Sequence, residues 1–308
     1  MQQVYGLPFW FVKSFRLLVL TVAELIVLGG AVRVLNAGLA CPDWPLCFGA
    51  YVPDFHPQVY LEFIHRALAG TVGIVTLAMS VILFARPAVP KSIKWCATLS
   101  LAALSSQIIL GGLTVLLQLK SGVVAAHLTT GTFYFATLLW IFLELRAASQ
   151  ECEVEIESYV KNWTFLVLVA VFGQMILGGL VASNYAALAC TDFPLCQGHF
   201  IPTLEGPVGL HVIHRLGAYT VGFLALANFL VLRGSTGVLR HYSGRILIAV
   251  LIQICLGVAN VLFYTPATLS VAHLAVALSI FYFAFRQFHF ASREAISRNP
   301  VVLADALS

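Results

Sequence analysis

Eight stretches of the chain are apolar over lengths that cross a bilayer, which takes about 20 residues of helix, and this decides the fold class. They fall at 15–37, 59–85, 95–118, 122–146, 162–184, 207–233, 243–264 and 267–290. With 60% hydrophobic and 10% charged residues, against about 25% charged in soluble domains, the sequence over-fills any water-soluble core. The expectation is an all-α integral membrane protein of eight transmembrane helices. An even number of spans puts both termini on one side. Lys13, Arg16, Arg86, Lys91, Lys94, Arg146, Lys161, Arg233, Arg240, Arg245, Arg286, Arg293 and Arg298 lie on that side, and Lys120 on the other. The positive-inside rule then predicts cytoplasmic termini. No basic stripe of the nucleic-acid-binding kind is present. No short apolar segment with a small-residue cleavage site opens the chain, so no removable signal peptide is expected.

The eight spans are four spans written twice. Ala40-Cys41-Pro42-Asp43-Trp44-Pro45-Leu46-Cys47-Phe48-Gly49 returns 149 positions later as Ala189-Cys190-Thr191-Asp192-Phe193-Pro194-Leu195-Cys196-Gln197-Gly198. Glu62-Phe63-Ile64-His65-Arg66 returns at the same offset as His211-Val212-Ile213-His214-Arg215. Gln107 and Gly111 match Gln253 and Gly257, and Ala126-His127-Leu128 matches Ala272-His273-Leu274, at an offset of 146. Residues 1–149 form an N-terminal half and 162–308 a C-terminal half. They are joined by a cytoplasmic linker, 150–161, whose acidic run Glu151, Glu153, Glu155 and Glu157 reads as a solvated segment. Both halves enter from the cytoplasm, which makes the repeat parallel, about an axis along the membrane normal. The predicted architecture is two pseudo-symmetric four-helix bundles.

Four of the nine histidines repeat in register, His65 with His214 and His127 with His273. Each lies one to two turns into a span that starts at the outer face. The second and fourth spans of each half run in the same direction, so the members of each pair sit at one depth and can approach an iron from opposite sides. Four-helix bundles hold cofactors between facing side chains, and histidine is a common axial haem ligand. Bis-histidine haem ligation in both halves is the reading; histidines hydrogen-bonded within the bundle are the alternative. His211, three before His214, is a second candidate ligand. His56, His199, His241 and His289 read as bystanders.

Glu62 is an ionisable group inside a span and therefore a candidate functional site. It lies one turn before His65 on the same helix face, where a partly desolvated carboxyl trades protons near neutral pH; an ion pair with Arg33 or Arg66 is the structural alternative. His211 takes its place in the second half, so the two pockets differ. Arg66 and Arg215 follow the histidines and suit either haem propionates or a lipid phosphate or helix-end carbonyl. Arg33, near the outer end of the first span, is another candidate for a propionate or for Glu62. The pairs Cys41/Cys47 and Cys190/Cys196 each close a seven-residue loop that a disulfide stabilises by roughly 2 kcal/mol at most, as a staple or as a redox-active or haem-handling pair.

Glu62-x-x-His65-Arg66 after Cys41-Pro-Asp-Trp-Pro-Leu-Cys47, in duplicated halves with four in-register histidines, resembles the haem A synthase family. The resemblance runs from about residue 15 to 290. It implies oxidation of a methyl group of haem O to formyl, giving haem A, by two hydroxylations and loss of water. It implies substrate haem between His65 and His127, with Glu62 essential, and a haem b between His214 and His273 that relays electrons. It also implies a bacterial plasma-membrane location with the cysteine loops outside, a haem O synthase as pathway partner and an electron donor such as a quinol. Gly29-Gly30, Gly111-Gly112 and Gly178-Gly179 suit close helix packing, within one chain or in a homo-oligomer. Two competing functions fit eight spans with haem: a di-haem quinol-oxidising electron carrier, which predicts equivalent pockets, and a haem exporter or chaperone, which predicts exchangeable haem in both.

Overall fold

The computed structural model describes residues 3–148, 157–200, 202–235 and 237–293. Its helices are α1 (Phe9–Val34), α2 (Pro57–Ala85), α3 (Lys91–Leu116), α4 (Ser121–Ala147), α5 (Ser158–Ser183), α6 (Gly206–Leu232), α7 (Gly237–Leu262) and α8 (Ala267–Ser292). All eight are long and apolar enough to cross a membrane. A two-stranded hairpin, β1 (Gln3–Val4) with β2 (Leu7–Pro8), precedes α1, and a single 3₁₀ turn, Ala186–Leu188, follows α5. Of the acidic run in the linker, Glu151, Glu153 and Glu155 lie outside the described residues; Glu157 immediately precedes α5, without a capping hydrogen bond from its side chain.

Proline sets several helix starts: Pro57 is in the first turn of α2, and Pro8, Pro90 and Pro266 immediately precede α1, α3 and α8. A fixed φ and a missing N–H cost nothing there, because the first N–H groups of a helix have no intrahelical acceptor. The odd-numbered helices all end at the same side, each on non-glycine residues in the left-handed region: Asn36, Gln118 with Leu119, Tyr185, and Tyr264 with Thr265. Ala37 N–H then returns to Val32 O at 2.8 Å, Leu119 to Thr114 O at 2.7 Å and Thr265 to Asn260 O at 2.6 Å, satisfying carbonyls a helix end leaves free.

Within the first half the helices neighbour one another in the cycle α1–α2–α3–α4–α1, and within the second in the cycle α5–α6–α7–α8–α5. The helices carrying the paired histidines, α2 with α4 and α6 with α8, are therefore diagonal across their cycles. The halves meet through α4 against α5 and α1 against α8, with Phe281 between Phe135 and Phe172 at ring-centroid distances of 6.4 and 5.8 Å. This interface makes α4 the central helix: 61% of its apolar span is buried inside the protein, against 17% for α6. Elsewhere large apolar side chains such as Ile74, Trp95 and Phe223 point outward, as a lipid-facing surface requires. His289, expected to be a bystander, is instead buried in the interface. Its Nε2 meets Glu144 Oε1 at 2.8 Å and its ring packs edge-on against Trp140, tying α8 to α4.

Candidate functional site

The two cysteine loops are built alike. Cys41–Cys47 and Cys190–Cys196 are disulfides, and an aspartate closes each loop from within. Phe48 N–H and Gly49 N–H donate to the Asp43 carboxylate at 2.6 and 2.8 Å; Gln197 N–H and Gly198 N–H donate to that of Asp192 at 2.9 and 3.0 Å. These donors, the glycine foremost, hold both carboxyls below the usual aspartate range. Gly49 and Gly198 sit at φ +70° and +78°, where a side chain would be strained.

Each loop is fastened to the helix that follows it by an arginine. Arg66 Nη1 donates to the carbonyls of Asp43 and Leu46, both at 2.7 Å, and Nη2 to that of Cys41 at 3.2 Å. Arg215 repeats this on Leu195 (2.8 Å), Cys190 and Asp192 (3.0 Å each). Both guanidiniums thus clamp loop carbonyls, and among the described residues Nε–H is the one Arg66 donor left over. Arg33 reaches neither Glu62 nor the clamp; its guanidinium lies over the Tyr185 ring, 5.3 Å from the centroid.

The Glu62/His211 difference falls at this junction of loop and helix. Glu62 is 3% exposed. Its Oε1 accepts from Arg66 Nη2 at 2.5 Å, and its Oε2 accepts from Cys41 N–H at 2.8 Å. His211, equally buried, pairs through Nδ1 with the carbonyl of Ala186 at 3.0 Å. The first half therefore carries an anion bound to its disulfide loop; the second carries an imidazole bound to the 3₁₀ turn.

One turn deeper, each in-register histidine rests against a glycine of the helix before it. A Cβ on Gly29 would stand 3.0 Å from His65 Cε1, on Gly111 3.3 Å from His127 Cε1, on Gly178 3.2 Å from His214 Cε1 and on Gly257 3.3 Å from His273 Cε1. Four such contacts at matching places in the repeat form one device: a glycine makes room for an imidazole ring turned into the bundle. Three of the four rings are not held there by ordinary hydrogen bonding, since Nδ1 of His65, His127 and His273 is buried without a partner among the described residues; His214 Nδ1 meets Gln174 Nε2 at 3.0 Å. The hydrogen-bonded alternative for these histidines leaves three Nδ1 atoms unexplained, whereas buried polar groups are normally paired. A bundle that places imidazoles diagonally across from each other, seated on glycines and three of them with an unpaired Nδ1, fits a flat metal-bearing group between them.

The second glycine of two of these pairs reaches into the other half. A Cβ on Gly30 of α1 would collide with Leu274, the residue after His273, and one on Gly179 of α5 would stand 3.0 Å from Leu128, the residue after His127. These two Gly-Gly pairs thus serve contacts within one chain, each seating a histidine of its own half and the neighbour of a histidine from the other. Glutamines add backbone anchors: Gln107 Nε2 donates to His127 O at 2.9 Å and Gln174 Nε2 to His214 O at 2.8 Å. The Asp43 and Asp192 staples were legible as matching positions in the repeated loops. The glutamine anchors had a weaker signal, and Gln174 has no counterpart in the first half.

Comparison with known proteins gives a consistent result. A family model described as "Cytochrome oxidase assembly protein" matches residues 14–58 and 53–285. A Shewanella oneidensis protein named "Heme A synthase" is 30% identical over 292 residues, covering 80% of this chain and 86% of its own length. A protein of the same name from Shouchella clausii is 28% identical, covering 85% of this chain and 90% of its own. One from Symbiobacterium thermophilum is 34% identical over 219 residues, covering 68% and 69%.

Proposed function

This chain belongs to the cytochrome oxidase assembly protein family that includes the haem A synthases, and from that premise we propose that it oxidises haem O to haem A. The substrate methyl is hydroxylated to hydroxymethyl and again to the gem-diol. Each hydroxylation balances with dioxygen as oxidant, one oxygen atom replacing C–H by C–OH and the other leaving as water with two electrons from the donor and two protons. Loss of water from the gem-diol leaves the formyl group. His65 and His127 would hold the substrate haem, and His214 and His273 a resident haem b. The observation that carries this reading is the set of four in-register imidazoles seated on glycines, three with an unpaired Nδ1. When bound, haem b supplies one-electron transfer between an external donor of the quinol class and the substrate pocket.

The protein's own groups then divide the work. Gly29 and Gly111 orient the two imidazoles of the substrate pocket. Glu62, one turn from His65, is fixed by Arg66 and Cys41 N–H; its Oε2, carrying only that neutral donor, keeps a lone pair on which to take a proton from the reacting substrate. Arg66 and Arg215 hold the disulfide loops over the pockets, and Arg66 Nε–H, Arg215 and Arg33 are the donors available to propionates. The cysteine loops face the outside of a cell membrane, with both termini in the cytoplasm. A haem O synthase supplies the substrate, and the protein works as a monomer or homo-oligomer in lipid.

The test is extraction and chromatography of the pigment from protein co-expressed with a source of haem O. Haem A beside haem B is expected. Haem B alone would replace the synthase reading by that of a di-haem electron carrier.

The glycine seats give a second expected result. Gly178→Val drives methyl groups into the His214 ring and should strip haem b, leaving at most about a tenth of the wild-type content on the scale set by the ten- to hundredfold affinity losses around metal ligands. Gly173→Ala, on the same helix with nothing within 4 Å of its added Cβ, should leave haem content unchanged. Haem B quantified per protein in the two variants checks it.

A further inference from the structure

The repeat departs from symmetry beside one of its four histidines. At the offset of 149, Gln174 stands against Leu25, and Gly217 against Leu68. Gln174 lies on α5 one turn before Gly178, the seat of His214. Its Nε2 is 3.0 Å from His214 Nδ1 as well as 2.8 Å from the His214 carbonyl, and its Oε1 is buried with no partner among the described residues. A Cβ on Gly217 would collide with that Oε1, so the glycine makes the space the amide occupies. Beside His65 the first half has neither part: Leu25 offers no polar atom, Leu68 carries a full side chain where Gly217 has none, and His65 Nδ1 is unpaired among the described residues. The glutamine that half does carry, Gln107, donates to the His127 carbonyl and leaves His127 Nδ1 unpaired. Among these four histidines, His214 is the one whose Nδ1 meets a side chain.

We propose that Gln174 is the positioning residue that makes the C-terminal pocket retain its haem, and that the Leu25/Leu68 pair leaves the N-terminal pocket exchangeable. The inference rests on the haem placement proposed above. An imidazole that binds iron through Nε2 carries its proton on Nδ1. A partner for that proton fixes the tautomer and the ring orientation and makes the ligand more basic, an effect worth ten- to hundredfold in affinity at metal sites. A carboxamide serves both states of the ring. With the pocket empty, Nε2 donates to the bare Nδ1. A half-turn of the terminal amide puts Oε1, otherwise a buried acceptor without a partner, against Nδ1–H when iron is bound. Leucine does neither, and the His65 ring is held by packing alone. The asymmetry matches the two tasks, since substrate haem has to enter as haem O and leave as haem A while an electron-relaying haem b has to stay.

The test uses the full-length, haem-loaded protein in detergent and follows release of haem B to excess apomyoglobin, together with the midpoint potential of the b-type haem. Gln174→Leu should release haem B about 10- to 100-fold faster, with the midpoint moved positive because the ligand is less basic. Gln174→Glu, which keeps an acceptor on Nδ1–H, should restore slow release and move the midpoint negative. Leu25→Gln with Leu68→Gly, which supplies both the amide and the space for it, should slow release of haem O or haem A from the other pocket. Should Gln174→Leu fail to fold, Gln174→Met carries the test with the same expectation. Wild-type release rate and midpoint in a folded Gln174→Leu or Gln174→Met protein would overturn the inference. His214→Ala separates this from the placement beneath it: if that variant loses haem B while Gln174→Leu behaves as wild type, only the role of Gln174 fails. If His214→Ala retains haem B in full, the placement itself fails.

Discussion

Replacing Glu62 by alanine is expected to lower haem A formation by about 10²- to 10⁴-fold, the range lost with a general acid or base, while haem B content stays at the wild-type level. Protein co-expressed with a haem O source should then yield haem O or a hydroxylated intermediate on chromatography. Glu62 has two jobs in the structure, because its carboxylate also binds Arg66 and Cys41 N–H, and alanine removes both. Glu62→Gln separates them. Its amide oxygen still accepts from Cys41 N–H or Arg66, so the loop stays fastened, yet it cannot take a proton. A Gln variant that folds, retains haem B and makes no haem A assigns the loss to proton chemistry. A Gln variant that makes haem A at the wild-type rate would reduce Glu62 to a loop fastener.

The other large effect is on stability. Arg66→Ala leaves a buried carboxylate without its cation and three loop carbonyls without their donor, and breaking a buried pair in this way costs about 3–5 kcal/mol. Arg215→Ala unfastens the matching carbonyls but strands no anion, because His211 stands where Glu62 would be. Its cost should be about 1–3 kcal/mol, the penalty for unpaired polar groups. The two clamps are near copies, so the difference between the variants isolates the stranded charge. The double variant Glu62→Ala/Arg66→Ala should be more stable than Arg66→Ala alone, since no charge then remains to be solvated. Thermal unfolding midpoints of wild type and these three variants in one detergent check the order. Equal losses for Arg66→Ala and Arg215→Ala would show that the Glu62 anion contributes nothing.

The fold was legible because hydrocarbon permits so few solutions. Eight apolar stretches could only be eight helices, and the matching loops exposed the repeat before any geometry was known. The starts of the odd-numbered helices erred in one direction. α1, α3, α5 and α7 begin at residues 9, 91, 158 and 237, about four to six residues earlier than the apolar stretches suggested. Lys13, Lys91, Lys94, Lys161, Arg240 and His241 lie outside those stretches yet inside the helices, because long basic side chains extend along a helix end and put their charge in the interface. The histidine pairs were legible as well, since one histidine in a span is ambiguous and two pairs in register are far less so.

The partners of the charged residues were not legible. Arg66 and Arg215 grip backbone carbonyls, which every residue carries and no sequence pattern marks. Arg33 finds an aromatic face from the other half instead of an acid. Glu62 could be paired with Arg66 on helical spacing alone, but its second bond, to Cys41 N–H, depends on how the loop folds back. Three of the four glycine seats lay in plain view in Gly-Gly pairs; their purpose emerged only when Gly29, Gly111 and Gly178 were found under histidines, and Gly30 and Gly179 under the residues following two others.

The most direct test of the account is the haem content of four purified variants: His65→Ala, His127→Ala, His214→Ala and His273→Ala. Two unequal pockets predict that the first two keep haem B and lose haem O and haem A, while the last two lose haem B. If all four lose the same pigment to the same extent, or none loses any, the two-pocket assignment is contradicted.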